Sequence, residues 1–475
     1  MTIESTRGLP VWSRFWILAA LLAVAAGCSG GSKGASHPAT TVPRGGGGRP
    51  TVPGTLPKPK PAKFVVSVPS YIDATGKTDD TKALQQFIDK LKNGRTVKFH
   101  RNGRYRVEGT LKVGNRRNLT FDGQNATVFA TKRGARDRVQ WWIKRGSDIV
   151  FRNMNVRGAH PNGGTAKGAY VRKLETQHGF KLEGVHNVEL DHIQVTDVYG
   201  DFVYITRDLA RRNPSTNVWI HDSTFRRNGR QGIAIVAATN VIIEHNRIDH
   251  TRRSTVDLEP NARDWRVSNV FILDNSVGKG RLLFVASHGQ GPVDNVVIEG
   301  NQLQGHDLTI DAMPPGTDRR SNWVIKDNVS DTTTHHRPMR FFGIDGLVVS
   351  GNTQRVANKQ PGVVMNNDCG TQVTGNEFGT GGVSERGKRC AATLAVPKVP
   401  DIDGRGEATT TTTRPNGSPS STRPHVTTPG STPSGKGNDN GNGGWLALAV
   451  AAGVLAAAAL FFVLRRRLRR PADHE

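Results

Sequence analysis

The feature that most constrains this chain is an asparagine that returns every 24 to 29 residues. It closes a short apolar stretch each time, at Asn246, Asn275, Asn301, Asn328, Asn352 and Asn376, with gaps of 29, 26, 27, 24 and 24 residues. The clearest copies run from Asn240 to Asn246, Asn269 to Asn275, Asn295 to Asn301 and Asn322 to Asn328. Earlier copies begin at Asn187 and Asn217, and weaker ones at Asn118 and Asp148.

A second apolar stretch accompanies the copies, as in Gly232 to Val236, Thr255 to Glu259 and Asp307 to Asp311. Apolar and polar residues alternate in both stretches, the mark of strands with one buried face. No helical period separates the strands, which excludes βαβ units and leucine-rich repeats. A propeller blade needs a period of about 40 residues or more. A period of about 25 with two or three short strands is one rung of a β-helix. The expected fold is therefore all-β, a parallel β-helix solenoid of about ten rungs over residues 64–400. The recurring asparagine sits at a turn after a strand, where it tolerates left-handed backbone and its amide can bond the next rung. It reads as a structural ladder. The open edge of the first rung needs a cover. Residues 78–94 suit a capping helix: Thr78 as N-cap, Asp79 and Asp80 in the first turn, Leu84, Phe87, Ile88 and Leu91 as one stripe, and Asn93-Gly94 as the stop.

The ends carry other signals. Residues 1–28 read as an export signal, with Arg7 and Arg14 before the apolar run Phe15 to Ala26. The run ends in Val24-Ala25-Ala26-Gly27-Cys28, which resembles a bacterial lipobox and makes Cys28 a candidate for lipidation. An ordinary signal peptide or an uncleaved anchor are the alternatives. Residues 29–63 form a Pro/Gly/Thr-rich linker and residues 401–444 a Thr/Pro/Ser/Gly-rich stalk, compositions that bury too little surface to fold. Residues 445–464 contain no charge and suit a transmembrane helix, followed by a basic tail at 465–475. Arginines stay inside, so the β-helix is expected outside the cell and the C-terminus in the cytoplasm.

Cys369 and Cys390 form an even pair in an exported domain, so a disulfide is the default. Zinc is not expected, for want of further ligands at finger-like spacing. The formal charge of +25 favours anionic partners: polysaccharides, wall polymers or lipid headgroups. Nothing resembles a nucleic-acid-binding motif.

Gly76-Lys77-Thr78-Asp79-Asp80-Thr81-Lys82-Ala83-Leu84-Gln85 resembles the opening segment of pectate-lyase-like β-helix proteins. Asn228-Gly229-Arg230-Gln231-Gly232 and Val256-Asp257-Leu258-Glu259-Pro260-Asn261 are similar to segments of bacterial right-handed parallel β-helix repeat proteins. The resemblance covers about residues 65–395. It implies the right-handed coil and, less directly, a carbohydrate ligand, because the scaffold also serves non-enzymes.

On Thr255 to Glu259 alternation turns Val256 and Leu258 inward, so Asp257 and Glu259 point outward, roughly 7 Å apart. That spacing suits an acid and base on either side of a glycosidic bond. Arg230 and Gln231 lie one rung earlier and could hold an anionic sugar. His288 lies one rung later and Asp311 two rungs later, while Asp201 and His178 are further candidates upstream. No dense acidic cluster for calcium appears, nor the paired Asp-Asp and Gly-His-Gly of polygalacturonases, so neither mechanism carries over. No cofactor or metal is expected. Two functions stay open: a surface module that binds polysaccharide or anionic wall polymer, and a polysaccharide hydrolase or lyase. Substrate and oligomeric state are not legible.

Overall fold

The computed structural model describes residues 51–402, apart from 315–318, 333–337, 355–359, 379–380, 388–389 and 393–394. The export signal, Cys28, almost all of the stalk and the apolar run at 445–464 lie outside the described residues. Among the described residues, no helix is long and apolar enough to cross a membrane.

Each rung contributes one strand to each of three faces. In one rung these are Phe180–Glu183 (front), His186–Asp191 (back) and Gln194–Val198 (side). The next rung repeats the order with Val203–Thr206, Ser215–His221 and Thr224–Asn228. Every strand pairs in parallel with its counterpart one rung away. Among the described residues the front sheet has 11 strands, from Leu111–Gly114 to Val383–Arg386. The coil therefore has about 11 turns, one more than the repeat suggests.

Alternation fills the interior. Phe180 and Leu182, Val203 and Ile205, and Val256 and Leu258 all belong to one continuous apolar column. Aromatic rings stack near its start, with the Phe121 and Phe151 centroids 4.7 Å apart. Each coil layer holds its neighbours through the backbone and through this column.

Asparagine runs through the stack in two ladders. The first is the expected one. Asn246, Asn275, Asn301, Asn328 and Asn352 each donate a side-chain amide to the carboxamide oxygen one rung on, at 2.8–3.1 Å, ending on Asn376. The second joins Asn217 to Asn187, then Asn240, Asn269, Asn295 and Asn322 each to the rung before, at 2.8 Å every time. The backbone expectation needs correction. The left-handed residues are those of the second ladder, such as Asn240 and Asn269, and those just before the first, such as His245 and Asp274. The first ladder's amides are instead committed to carbonyls that the turn exposes, such as Ile272 for Asn301 at 2.8 Å.

The helix is shorter than expected, Thr81–Lys90. It stands where the front strand of the first turn would be, between Thr75–Asp79 and Arg95–Lys98. Leu84 and Ile88 are buried in the core, with Leu91 just past its end. Thr78 is not its N-cap. It lies in a strand, and its amide and hydroxyl both bond Asp73. Asp80 takes the cap position without a side-chain cap bond; its carboxylate accepts instead from the Asp73 amide at 3.1 Å.

The boundaries of the folded part also differ from the composition reading. Thr55–Leu56 pairs in parallel with Asp401–Ile402. Together with Val52 and Val399 this pair covers an outward apolar row of the back sheet: Ile242, Phe271, Val297, Val324 and Val348. The segment from residue 51 to 63 then runs along the coil. The Thr51 carbonyl accepts from Asn269 at 3.1 Å, and the Lys60 amide donates to Asp148 at 3.1 Å. Few apolar residues suffice here because the row beneath supplies the rest. Cys369 and Cys390 form the expected disulfide.

Asn301 is fully buried and serves both its neighbours. Asn301→Ala strands the Asn275 amide and the Ile272 carbonyl, at about 1–3 kcal/mol for each unsatisfied group. A clear drop in the chemical unfolding midpoint is expected, and an unchanged midpoint would remove the ladder from the account of stability.

Candidate functional site

The front sheet aligns one outward residue from each rung. In register these are Lys112, Trp142, Lys181, Tyr204, Ala234, Asp257, Ala286, Asp311 and Arg340. Strands repeat at about 4.8 Å, so Trp142 and Asp257 lie roughly 19 Å apart along the row. Three groups of side chains sit on it.

The first group is centred on Arg230. The turn before each front strand brings Asp201 and Gln231 together. Asp201 accepts from the Gln231 amide at 2.8 Å and from the Arg230 guanidinium at 2.8 Å. Arg230 also reaches Glu259 at 3.4 Å and Glu175 at 3.7 Å. The Gln231 carboxamide donates to Asp257 and accepts from the Ser254 amide. The sequence set Arg230 and Gln231 one rung from Asp257 and Glu259, and the structure adds Asp201, which the sequence offered only as a separate candidate. The sequence did not show how deep they lie. Asp257 faces outward by alternation yet is only 4% exposed, and Asp201 is 0% exposed. Residues 230 and 231 fold over the strand and cover both carboxylates.

Burial sets their protonation. Loss of water pushes the Asp201 carboxyl up to about 6, against the pull of Arg230. Asp257 is pushed well above the carboxylate range by burial and by the nearby Glu259 charge. Burial drives His178 well below its ordinary value, with Arg230 adding to it. His178 is neutral, and its Nδ1 accepts from the Asp201 amide at 3.0 Å. Its ring stacks on Tyr204, centroids 4.7 Å apart. The Tyr204 hydroxyl is pushed up to about 12 by burial and by Asp201.

The second group holds His288 and Asp311, which the structure separates from the first. Asp311 is clamped by Arg340 and lies 3.5 Å from the His288 ring. Ala286 stands between Asp257 and Asp311 in the row.

The third group went unread in the sequence. Trp142 lies half-buried on the outer face, ringed by three lysines. The Lys181 ammonium is 4.5 Å from its ring centroid, and those of Lys112 and Lys144 are each 5.3 Å away. Glu183 holds Lys144 and Lys181 in place at 2.9 Å each. The signal was present: in Trp141-Trp142-Ile143-Lys144, alternation buries the first tryptophan and turns the second out. Next to this group a cleft of about 410 Å³ opens between the helix and the first front strand, lined by Gln85, Asp89, Thr110, Lys112, Gly114 and Arg116.

Residues 142–313 match the family described as "Right handed beta helix region". The described coil has the fold of a parallel β-helix repeat protein, and the matched stretch spans its middle rungs. Its structure is similar to that of an endo-xylogalacturonan hydrolase from Aspergillus tubingensis, with a TM-score of 0.52 and 13% identity over 70% of this chain and 100% of that one. It is also similar to PfbA, a surface protein and adhesin of Streptococcus pneumoniae, with a TM-score of 0.48 and 16% identity over 69% of this chain and 100% of that one. At such identities the likeness extends to the fold alone. No curated protein matches the sequence.

The raised carboxyls make a pH prediction. A carboxyl whose folded value exceeds its unfolded one binds its proton more tightly when folded. Its contribution to stability is present at low pH and is lost as pH rises through the folded value. Asp257→Asn keeps an acceptor for Gln231 and removes the titration. The variant should gain thermal stability relative to the parent when moved from about pH 5 to about pH 9, starting above the ordinary carboxylate range. Parallel pH profiles for the two proteins would contradict a buried, protonated Asp257.

Proposed function

We propose that this is an exported, membrane-anchored β-helix protein that binds an anionic polysaccharide along its front sheet. The observation that carries the reading is the tryptophan ringed by three lysines. An indole face packs against the apolar side of a sugar ring. Ammonium groups around it supply point charges for carboxylate or sulfate substituents. Glu183 pairs with Lys144 and Lys181 and offsets one of the three positive charges, so the patch keeps a positive excess. The Arg116 and Lys112 side of the neighbouring cleft extends that charge. The similar hydrolase acts on a polysaccharide, which is in keeping with such a ligand. The export signal, the apolar run and its arginines support an outward-facing domain held at the membrane, with Cys28 as a second attachment. The helix at Thr81–Lys90, lying beside the first front strand, is inferred to close that sheet's open edge.

The test is retention of the purified protein in gels containing polygalacturonate, alginate or a neutral glucan. Acidic polymers should retard it, and raising salt toward 1 M should weaken the effect. Trp142→Ala and Lys181→Ala should each cut apparent affinity by about tenfold, a cost of about 1.4 kcal/mol. Equal migration in all three gels, or unaffected variants, would remove the reading.

A second reading has its own observation. Burial and the Glu259 charge push Asp257 toward its protonated form, and divergent carboxyl environments are how acid and base roles are assigned in glycan-cleaving enzymes. Turnover would then require both, with Asp257 as acid and Glu259 as base. New reducing ends or unsaturated products from an acidic polymer, lost in Glu259→Gln, are expected on this view. Binding without any product from a broad panel of polymers favours the non-catalytic module.

A further inference from the structure

We propose that the outer face of the back sheet carries a divalent transition-metal site formed by Asp191, His221 and Asp222. It is independent of the polysaccharide reading and lies on a different sheet. The back strands His186–Asp191 and Ser215–His221 pair so that Asp191 stands directly opposite His221. Each strand ends in a left-handed turn residue, His192 after one and Asp222 after the other. Two equivalent turns on adjacent rungs thus present two histidines and two aspartates.

The geometry is that of a ligand set. His221 Nδ1 lies 2.8 Å from Asp222 Oδ2 and 3.7 Å from Asp191 Oδ1. The three ligand atoms all fall within 4.8 Å of one another. Atoms about 2.1 Å from one tetrahedral ion are separated by roughly 3–4 Å, so small side-chain adjustments complete the site. His192 Nδ1 touches the same Asp191 oxygen and offers a fourth ligand.

A separate observation points to a cation between these groups. The other ring nitrogen, His221 Nε2, lies 3.1 Å from Glu189 Oε1. With Nε2–H donating to Glu189, Nδ1 faces Asp191 and Asp222, and the convergence of these carboxylates calls for a positive charge there, carried either by a proton on Nδ1 or by a metal ion. Carboxylate, imidazole and metal in line is how proteins orient a ligating histidine. Trp219 stacks on the ring, centroids 3.7 Å apart and planes 21° apart, and is itself anchored to Glu244. The imidazole cannot readily turn away. Arg152, in register with Asp191 one rung back, gives its guanidinium to Asp122 at 3.0 Å. Three carboxylates therefore converge on one ring in a chain of net charge +25. Imidazole with carboxylates suits zinc, nickel, cobalt or copper.

The rival cation is a proton, with His221 as a plain imidazolium. Titrating the purified, EDTA-treated full-length chain with Co²⁺, then Zn²⁺, separates the two. The expected result is one Co²⁺ per chain with visible d–d absorption, displaced by Zn²⁺, and a higher melting temperature with Zn²⁺. Asp222→Asn and Asp191→Asn should each weaken Co²⁺ binding at least tenfold. Asn is well tolerated in the left-handed turn at 222, so that variant should fold. Glu189→Gln tests the orienting carboxylate, with a loss of about 10- to 100-fold. No saturable Co²⁺ binding up to about 1 mM, or equal binding by parent and variants, overturns the proposal. So does a change in melting temperature of the variants that is the same with and without Zn²⁺.

Discussion

The stacked carboxamides of Asn246 to Asn376 hold the place where six successive rungs turn from the back sheet to the side sheet. A rung that slipped by one residue would turn its buried side chains to solvent and would break a buried amide chain on two sides at once. Because the turn is fixed, so is the strand that follows and the register of all three sheets. The outward rows then follow without further instruction. Lys112 and Arg340 are 228 residues apart in the chain and still occupy one line on the front face. The candidate sites are products of that alignment rather than of local motifs.

Much of the fold was legible for the same reason. The asparagine repeat exposed both the period and the parallel stacking, and alternation on Thr255 to Glu259 put Val256 and Leu258 inside. The closeness of Arg230 and Gln231 to Asp257 and Glu259 was also readable, since similar rung lengths place equivalent turns in contact, whereas the place of Asp201 under Arg230 was not. Depth was not. Whether an outward side chain meets water depends on what folds over it, and the covering residues 230 and 231 come from the turn of another rung. His288 and Asp311 were placed on the same row one and two rungs further on; the structure groups them with Arg340, and Ala286 stands between Asp257 and Asp311. Thr78 has the chemistry of an N-cap, but Asp73 competes for it. The left-handed positions were assigned to the wrong asparagine, since the pattern reports spacing and not dihedral angle. Asp191-His192 and His221-Asp222 lie 30 residues apart, one rung length, and read as unrelated pairs until stacked.

The surface divides its charge by face. The front sheet presents lysines around an indole at one end and arginines tied to buried acids further along. The back sheet gathers Glu189, Asp191 and Asp222 around a histidine. One scaffold can therefore hold an anion on one face and a cation on another with little interference, because the core column between them is apolar and continuous.

The segment at residues 51–63 alters how such a coil comes apart. In a stack of rungs where each touches only its neighbours, stability behaves as a chain of nearest-neighbour terms, and either end can fray while the middle stays folded. Here Thr51 bonds the rung of Asn269, Lys60 the rung of Asp148, and Leu56 pairs with Ile402, beyond the last front strand. Those contacts couple rungs that do not touch. A single axial tie turns the zipper into something nearer a two-state unit, and a coil with one rung too many or too few would present the wrong layer to its clasp.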